Sequence, residues 1–234
     1  MAFLKALGRL LGDLIWPQGV LCLACRRPSG GEHLCPACQQ EMARLHLDED
    51  YTHDPQAFFR AVWKHDGAAR ALVLRLKHHN EAIAARVLAH SMAEAVRCME
   101  LPADTVLTWV PMPAKRRMTR GIDHGFCLAS ALGEELHLPV RPLLRRTRAT
   151  AAQARLDHQQ RRMNLVNAFA ALEEIHSPVL LVDDVYTTGA TATVCTDALL
   201  AAGSPWVKVI TATQAVHRGT STCEDGQWKL ENHT

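Results

Sequence analysis

Residues Val179 to Thr191, VLLVDDVYTTGAT, restrict the fold of this chain more than any other stretch. Val179, Leu180, Leu181 and Val182 form a continuous apolar run, the pattern of a strand buried on both faces in a parallel sheet. The run ends in Asp183 and Asp184. In open α/β sheets the carboxyl ends of the strands face the crevice that binds ligands. Successive strand residues point to opposite faces, so one carboxylate can reach a ligand hydroxyl while its neighbour serves a second hydroxyl or a hydrated cation. Thr187, Thr188, Gly189, Ala190 and Thr191 then enter a helix predicted over 187–200. Gly189 lets the backbone curl, N–H groups converge at the helix start, and three threonine hydroxyls add donors, which together describe a monophosphate cradle. Carboxylates placed just ahead of such a cradle match a ribose 5-phosphate. The competing reading is an ordinary strand-to-helix turn with Asp and Thr as caps.

Partners for this strand are present elsewhere. Strands are predicted over 58–63, 106–110 and 206–211, and helices over 68–77, 81–99 and 126–136, with a polar break at His78, His79 and Asn80. Strand, helix and strand of this size form right-handed parallel units, and three or more strands give an open α/β sheet. From Arg141 to Asn167 the sequence is basic and polar without a sustained apolar stripe, which fits an arm better than a core element. The expected organisation is an N-terminal helix and cysteine module over 1–45, a sheet domain over 46–216 with a flexible hood at 143–167, and a polar tail over 217–234. No G-x-x-x-x-G-K-[ST] and no G-x-G-x-x-G occurs, so nucleotide hydrolysis and dinucleotide binding fall away.

The formal net charge of +2 averages unlike parts. Lys115 to Arg162 carries eleven Lys/Arg against four Asp/Glu, a surplus of seven, which suits a segment that meets an anion. Met1 to Trp16 places Phe3, Leu4, Leu7, Leu10, Leu11, Leu14 and Ile15 at helical spacing, broken by Lys5, Arg9 and Asp13, and so reads as an amphipathic helix rather than a signal peptide. No apolar run approaches the ~18 residues of a membrane span. A soluble, cytoplasmic protein is expected, and a reducing compartment argues against four disulfides among eight cysteines. Cys22, Cys25, Cys35 and Cys38 read C-x2-C-x9-C-x2-C, two tight turns that present four thiolates to one structural Zn²⁺; a redox C-x-x-C pair is the alternative. A zinc deaminase is excluded, because no H-x-E element precedes the cysteines and Leu34, not Pro, precedes Cys35. Cys98, Cys127, Cys195 and Cys223 are scattered and read as small apolar residues or free thiols.

The stretch from Val179 to Thr191 resembles the 5-phosphoribosyl 1-diphosphate (PRPP) signature of type I phosphoribosyltransferases. Combined with the cysteine knuckle, the chain is identified as a member of the ComF family (ComFC or GntX-like) of bacterial late-competence proteins. Leu76-Lys77 and Val110-Pro111-Met112-Pro113 match family elements. Arg117, Arg120 and Gly121 fit R-x-x-R-G, although Ile122, Asp123 and His124 depart from the usual F-N-Q. Arg146 to Phe169 resembles the family's hood, through Arg146, Thr150, Gln153, Leu156, Arg161, Asn164, Ala168 and Phe169. The resemblance implies a type I phosphoribosyltransferase-like α/β fold, an open parallel sheet with a small N-terminal four-cysteine zinc module. It implies Asp183 and Asp184 on the ribose hydroxyls, Thr187 to Thr191 on the 5-phosphate, and Lys77, Arg117, Arg120, Arg146 and Gln153 at the diphosphate or in the hood. Lys77 and the arginines also read as solvated helix ends. Mg²⁺ would ride on PRPP, and transfer would go to a nitrogen acceptor whose identity is not legible. The family context implies DNA uptake or use of imported DNA at the inner face of the inner membrane. A second reading keeps the fold as a non-catalytic PRPP sensor that binds single-stranded DNA or a competence partner; two Tyr and five Phe offer few stacking platforms for it.

Overall fold

The structure is a computed structural model that describes residues 21–47, 59–79, 82–99, 101–113, 123–147 and 168–215, and two short strand pieces beyond. The elements in chain order are α1 (Pro36–Leu45), β1 (Phe59–Lys64), α2 (Gly67–His79), α3 (Ala82–Arg97), β2 (Val106–Trp109), α4 (His124–Leu136), β3 (Leu144–Arg146), β4 (Phe169–Ala171), β5 (Val179–Tyr186), α5 (Ala190–Ala201), β6 (Val207–Gln214), β7 (Cys223–Glu224) and β8 (Gln227–Trp228). The expected N-terminal helix over 1–16 lies outside the described residues.

Four parallel strands form the central sheet in the order β1-β6-β5-β2. The apolar run places β5 inside it, between β6 and β2, as its two-faced burial requires. Its side chains alternate between two cores. Leu180 and Val182 join Leu72, Leu88, Met92, Leu107 and Leu128 under α2, α3 and α4, whereas Val179 and Leu181 join Phe59, Leu143, Cys195 and Leu199 on the α5 side.

Several boundaries differ from the sequence reading, among them the end of α2, which runs on through His78 and His79, and the start of α5, which begins at Ala190 after the Thr/Gly loop; two further differences have a direct physical reason. Helix α4 begins at His124 because the Asp123 carboxylate accepts hydrogen bonds from Gly125 N at 3.1 Å and Phe126 N at 3.3 Å, an N-cap that apolar periodicity does not register. The stretch assigned to the hood starts as packed structure: β3 pairs antiparallel with β4, and Leu143 and Leu144 are buried. Three residues are too few to show a strand period. Residues 148–167 lie outside the described residues.

The cysteine module docks on the sheet domain through α2. Cys22, Leu23, Leu34, Cys35, Cys38 and Met42 share a core with Leu72, Val73 and Leu76. Arg75 Nε donates to Leu23 O at 3.2 Å, and Leu47 N donates to Val62 O at 2.8 Å.

Candidate functional site

The carboxyl ends of β1, β5 and β6 meet at one polar edge. Asp184, on the α2–α4 face, is 5% exposed, and both of its oxygens are engaged: Lys77 Nζ stands 2.7 Å from Oδ1, and His124 Nε2 stands 2.9 Å from Oδ2. Burial works to raise its pKa, but the Lys77 charge and the His124 hydrogen bond prevail and hold it at about 2. Asp183 points to the other face, half-buried, and its Oδ1 accepts from Asp184 N at 2.9 Å. Burial, and then the charge of Asp184, push Asp183 up to about 7, against the weaker pull of Lys77 and the backbone N–H. Two adjacent acids thus have opposite characters, one a fixed carboxylate and one poised to change protonation near neutrality.

The loop that follows is shaped by Gly189, whose φ of +74° lies in the left-handed region. A Cβ there would run into the Tyr186 hydroxyl. Tyr186 is itself fixed by stacking on Phe59 with ring centroids 3.8 Å apart. Thr188 Oγ1 accepts from Ala190 N at 3.4 Å, and the N-cap Gly189 has no side chain to cap α5. Beyond Ala190 N, the N–H groups of Thr191 and Ala192 in the first turn are available to an anion. Gly189→Ala combines left-handed strain with this collision and is expected to cost about 1–2 kcal/mol, read as a lowered thermal midpoint. An unchanged midpoint would show that the loop relaxes freely.

Arg146 lies on the Asp183 side, its guanidinium 5.0 Å from the centre of the Phe169 ring. The buried Cys195 thiol, raised chiefly by burial, also feels the charges of Asp183 and Arg146. Of the expected anion-binding residues, Lys77 is brought to Asp184 and Arg146 to the neighbourhood of Asp183, while Arg117, Arg120 and Gln153 lie outside the described residues. Sequence reasoning misses His124 as the second partner of Asp184, and it misses His65, which follows β1 at this same sheet edge. The Asp-His-Gly signature of a helix start is a signal for His124, and position just past a parallel strand's carboxyl end is one for His65.

A second cluster is metal-competent. The Sγ atoms of Cys22, Cys25, Cys35 and Cys38 all lie within 4.8 Å of one another, with three of the four residues buried. Cys25 Sγ and Cys35 Sγ are 3.7 Å apart, far beyond a disulfide. Burial of the Cys22 thiol is outweighed by backbone N–H donors of Cys25, Cys35 and Ala24, which lower its pKa to about 6, whereas burial and the three neighbouring cysteines push the Cys38 thiol well up, so the four groups share their protons as one unit.

Fold and site thus define an open parallel α/β domain with an acid-tipped strand leading into a Thr/Gly loop, joined to a small module that holds a four-cysteine cluster able to bind a metal. No family model matches the chain. It is 30% identical over 201 residues to the DNA utilization protein YhgH of Escherichia coli O157:H7, covering 81% of this chain and 88% of that one. It is 28% identical over 192 residues to competence protein F of Haemophilus influenzae, covering 77% and 84%. The chain belongs to the family of these proteins, the ComF family. Similar solved structures include the PRPP amidotransferase of B. subtilis, at TM-score 0.40, 17% identity and coverage of 59% and 30%. Another is the adenine phosphoribosyl transferase of Trypanosoma brucei, at TM-score 0.40, 11% identity and coverage of 77% and 97%. Both likenesses are loose.

Proposed function

We propose that this chain binds PRPP together with Mg²⁺ at the carboxyl edge of the sheet and transfers ribose 5-phosphate to a nitrogen acceptor during the use of imported DNA. The observation that carries this reading is the placement of Asp183 and the Gly189 loop at one end of one strand. Asp183 faces the α5 side and takes ribose hydroxyls, while Thr187 to Thr191 and the start of α5 take the 5-phosphate. Asp184 is held between Lys77 and His124, so it orders those two side chains and reaches ribose only through the exchange of a partner. Mg²⁺ enters on PRPP as part of the substrate, since it retains much of its water and needs few protein ligands. Displacement of diphosphate builds positive charge at C1 and negative charge on the leaving group, and positioned cations lower that barrier. The basic residues between Lys115 and Arg162 supply such cations. The relatives' names point to a setting in DNA utilisation and competence, and the reading puts the protein in the cytoplasm, at the inner face of the inner membrane. Among the described residues no helix is long and apolar enough to cross a membrane.

The test is release of diphosphate from PRPP and Mg²⁺ over a panel of bases, DNA and ammonia, with Asp183→Asn as control. Release no faster than in the control would remove transfer to that panel. The second reading, a PRPP sensor that binds single-stranded DNA, is favoured by the name DNA utilization protein borne by its relatives, and predicts PRPP binding without release. Asp183→Asn carries a further expectation. Because the folded pKa is raised, the native state holds the proton more tightly, and stability is lost as pH rises from about 4 to about 7. The Asn variant escapes this loss and should gain about 1–2 kcal/mol above pH 7, after solvent screening of a half-buried group. The gain should vanish below about pH 4, and PRPP affinity should fall ~10-fold or more through the lost charged acceptor. Equal urea stability of the two proteins at pH 8 would contradict this account of Asp183.

For the cysteine cluster we infer zinc. A Zn–S bond of about 2.3 Å at tetrahedral angles separates sulfurs by about 3.8 Å, close to the 3.7 Å between Cys25 and Cys35. Four thiolates leave no open position, so the ion's part is structural.

A further inference from the structure

His65 follows β1 directly, at the same sheet edge as Asp183 and Asp184, and its position is fixed by His65 N donating to Gln214 O at 2.6 Å. Its ring meets Thr213: Nδ1 lies 2.8 Å from Thr213 Oγ1. The tautomer follows from counting protons. A hydroxyl has one proton, and that of Thr213 is donated to Asp184 O at 3.1 Å, where a carbonyl can only accept. With that proton placed on Asp184 O, the tautomer that makes both contacts hydrogen bonds has His65 Nδ1 as the donor to Thr213 Oγ1. In a neutral imidazole with its proton on Nδ1, Nε2 carries the lone pair.

The surroundings keep the ring neutral. Burial first, then the charges of Lys77 and Arg70, lower the His65 pKa and outweigh the opposing pull of Asp184 and Asp66. The result is a base with its lone pair free at neutral pH, about one hydroxyl away from the main chain of the acid-tipped strand.

We propose that His65 is the proton acceptor for the attacking nitrogen, a proposal that rests on the phosphoribosyl-transfer reading above. The acceptor nitrogen forms its bond to C1 of PRPP with its own electron pair, and the C1–O bond breaks with its electron pair leaving on diphosphate. The proton carried by that nitrogen moves to His65 Nε2 and passes to water when products depart. Lys77 and Arg70 disfavour a lasting imidazolium, which suits a base that must return to its neutral form each cycle. The acceptor class is accordingly a nitrogen that still bears a proton at the moment of attack, such as the ring N–H of a base or an amine, rather than a nitrogen with no hydrogen to lose.

His65→Asn tests this, because the Asn amide can keep the donation to Thr213 while removing the lone pair at the Nε2 position. PRPP affinity by calorimetry should stay within about 2-fold, while diphosphate release over the same acceptor panel, water included, should fall by about 100-fold or more. The acid limb of the wild-type pH–rate profile, to which Asp183 also contributes, should become less steep. His65→Gln, which instead keeps a polar group near Nε2, should lose rate as well. Ring ¹⁵N chemical shifts report on the tautomer without turnover, and the proton is expected on Nδ1 at pH 7. A proton on Nε2, or equal release by wild type and His65→Asn with PRPP bound in both, overturns the role of His65 alone. Failure of the wild-type chain to bind PRPP overturns the reading of the whole sheet edge and this proposal with it.

Discussion

Lys77→Met is expected to lose about 3 kcal/mol of folding stability at pH 7, because it leaves a buried carboxylate short of its main counter-charge. The Asp184 side chain is 6% exposed and Lys77 lies 2.7 Å from it; His124 remains on the other oxygen and limits the damage. The pH dependence gives the loss a signature. In the wild type the folded pKa of Asp184 is depressed to about 2, so this contribution is present above the unfolded value near 4 and is lost as pH falls through about 2. With Lys77 gone, Asp184 can take up a proton in the folded state, so the difference between variant and wild type should shrink as pH drops from 7 toward 4. Urea unfolding of both chains at pH 7 and pH 4.5 measures it. Adding Asp184→Asn to Lys77→Met should return much of the stability, since a neutral amide needs no counter-charge. A Lys77→Met chain as stable as wild type at pH 7 would mean that Asp184 is already solvated or protonated.

Removing zinc should have the larger structural effect. The buried residues of the module include Cys22, Leu23, Leu34, Cys35, Cys38 and Met42, and half of these are the proposed ligands. A segment below about 40 residues with so small a core ordinarily depends on a metal or cross-links. Structural zinc binds small modules with an apparent about 10–16 kcal/mol. If even about 3 kcal/mol of this stabilises the whole chain, chelation lowers the melting temperature by about 6–12 °C for a domain of this size. One zinc per chain is expected by elemental analysis after anaerobic purification. Cys35→Ser should lose the metal and Cys127→Ser, on α4, should retain it. Absence of zinc together with a melting temperature indifferent to chelator would refute the assignment.

What the sequence made legible is tied to patterns of known physical origin. The central strand was visible because four aliphatic residues in a row fit little else beside two acids, and the cysteine cluster because two C-x2-C turns are a spacing that can gather four thiols at one point. Helices α2 and α3 showed through their periodicity, although His78 and His79, which read as part of the polar break, belong to the last turn of α2. The partners of Asp184 were not visible as a set. Lys77 and His124 are far apart in sequence and meet only because α2 and α4 cover the same sheet face, a tertiary fact with no local signature. Asp123 and His124 stood out only as a departure from a family pattern, yet Asp123 caps α4 and accepts from Trp109 Nε1 at 3.3 Å, while His124 grips Asp184. The opposite protonation tendencies of Asp183 and Asp184 likewise depend on which face each one meets. The strand period predicts that they diverge but not which one finds the lysine.

Helix α2 fixes a rotational phase between the two halves of the molecule. Arg75 and Lys77 are two residues apart on it, hence about 200° apart around its axis, and one bonds the cysteine module while the other bonds Asp184. A single inserted or deleted residue between Gly67 and Arg75 would turn both side chains by about 100° and carry them about 1.5 Å along the axis. Neither grip could be kept by sacrificing the other. The helix therefore acts as a key with two bits cut at a set angle, and the length of chain ahead of Arg75 is constrained jointly by a cysteine module and an acidic strand end that never touch through this pair of contacts.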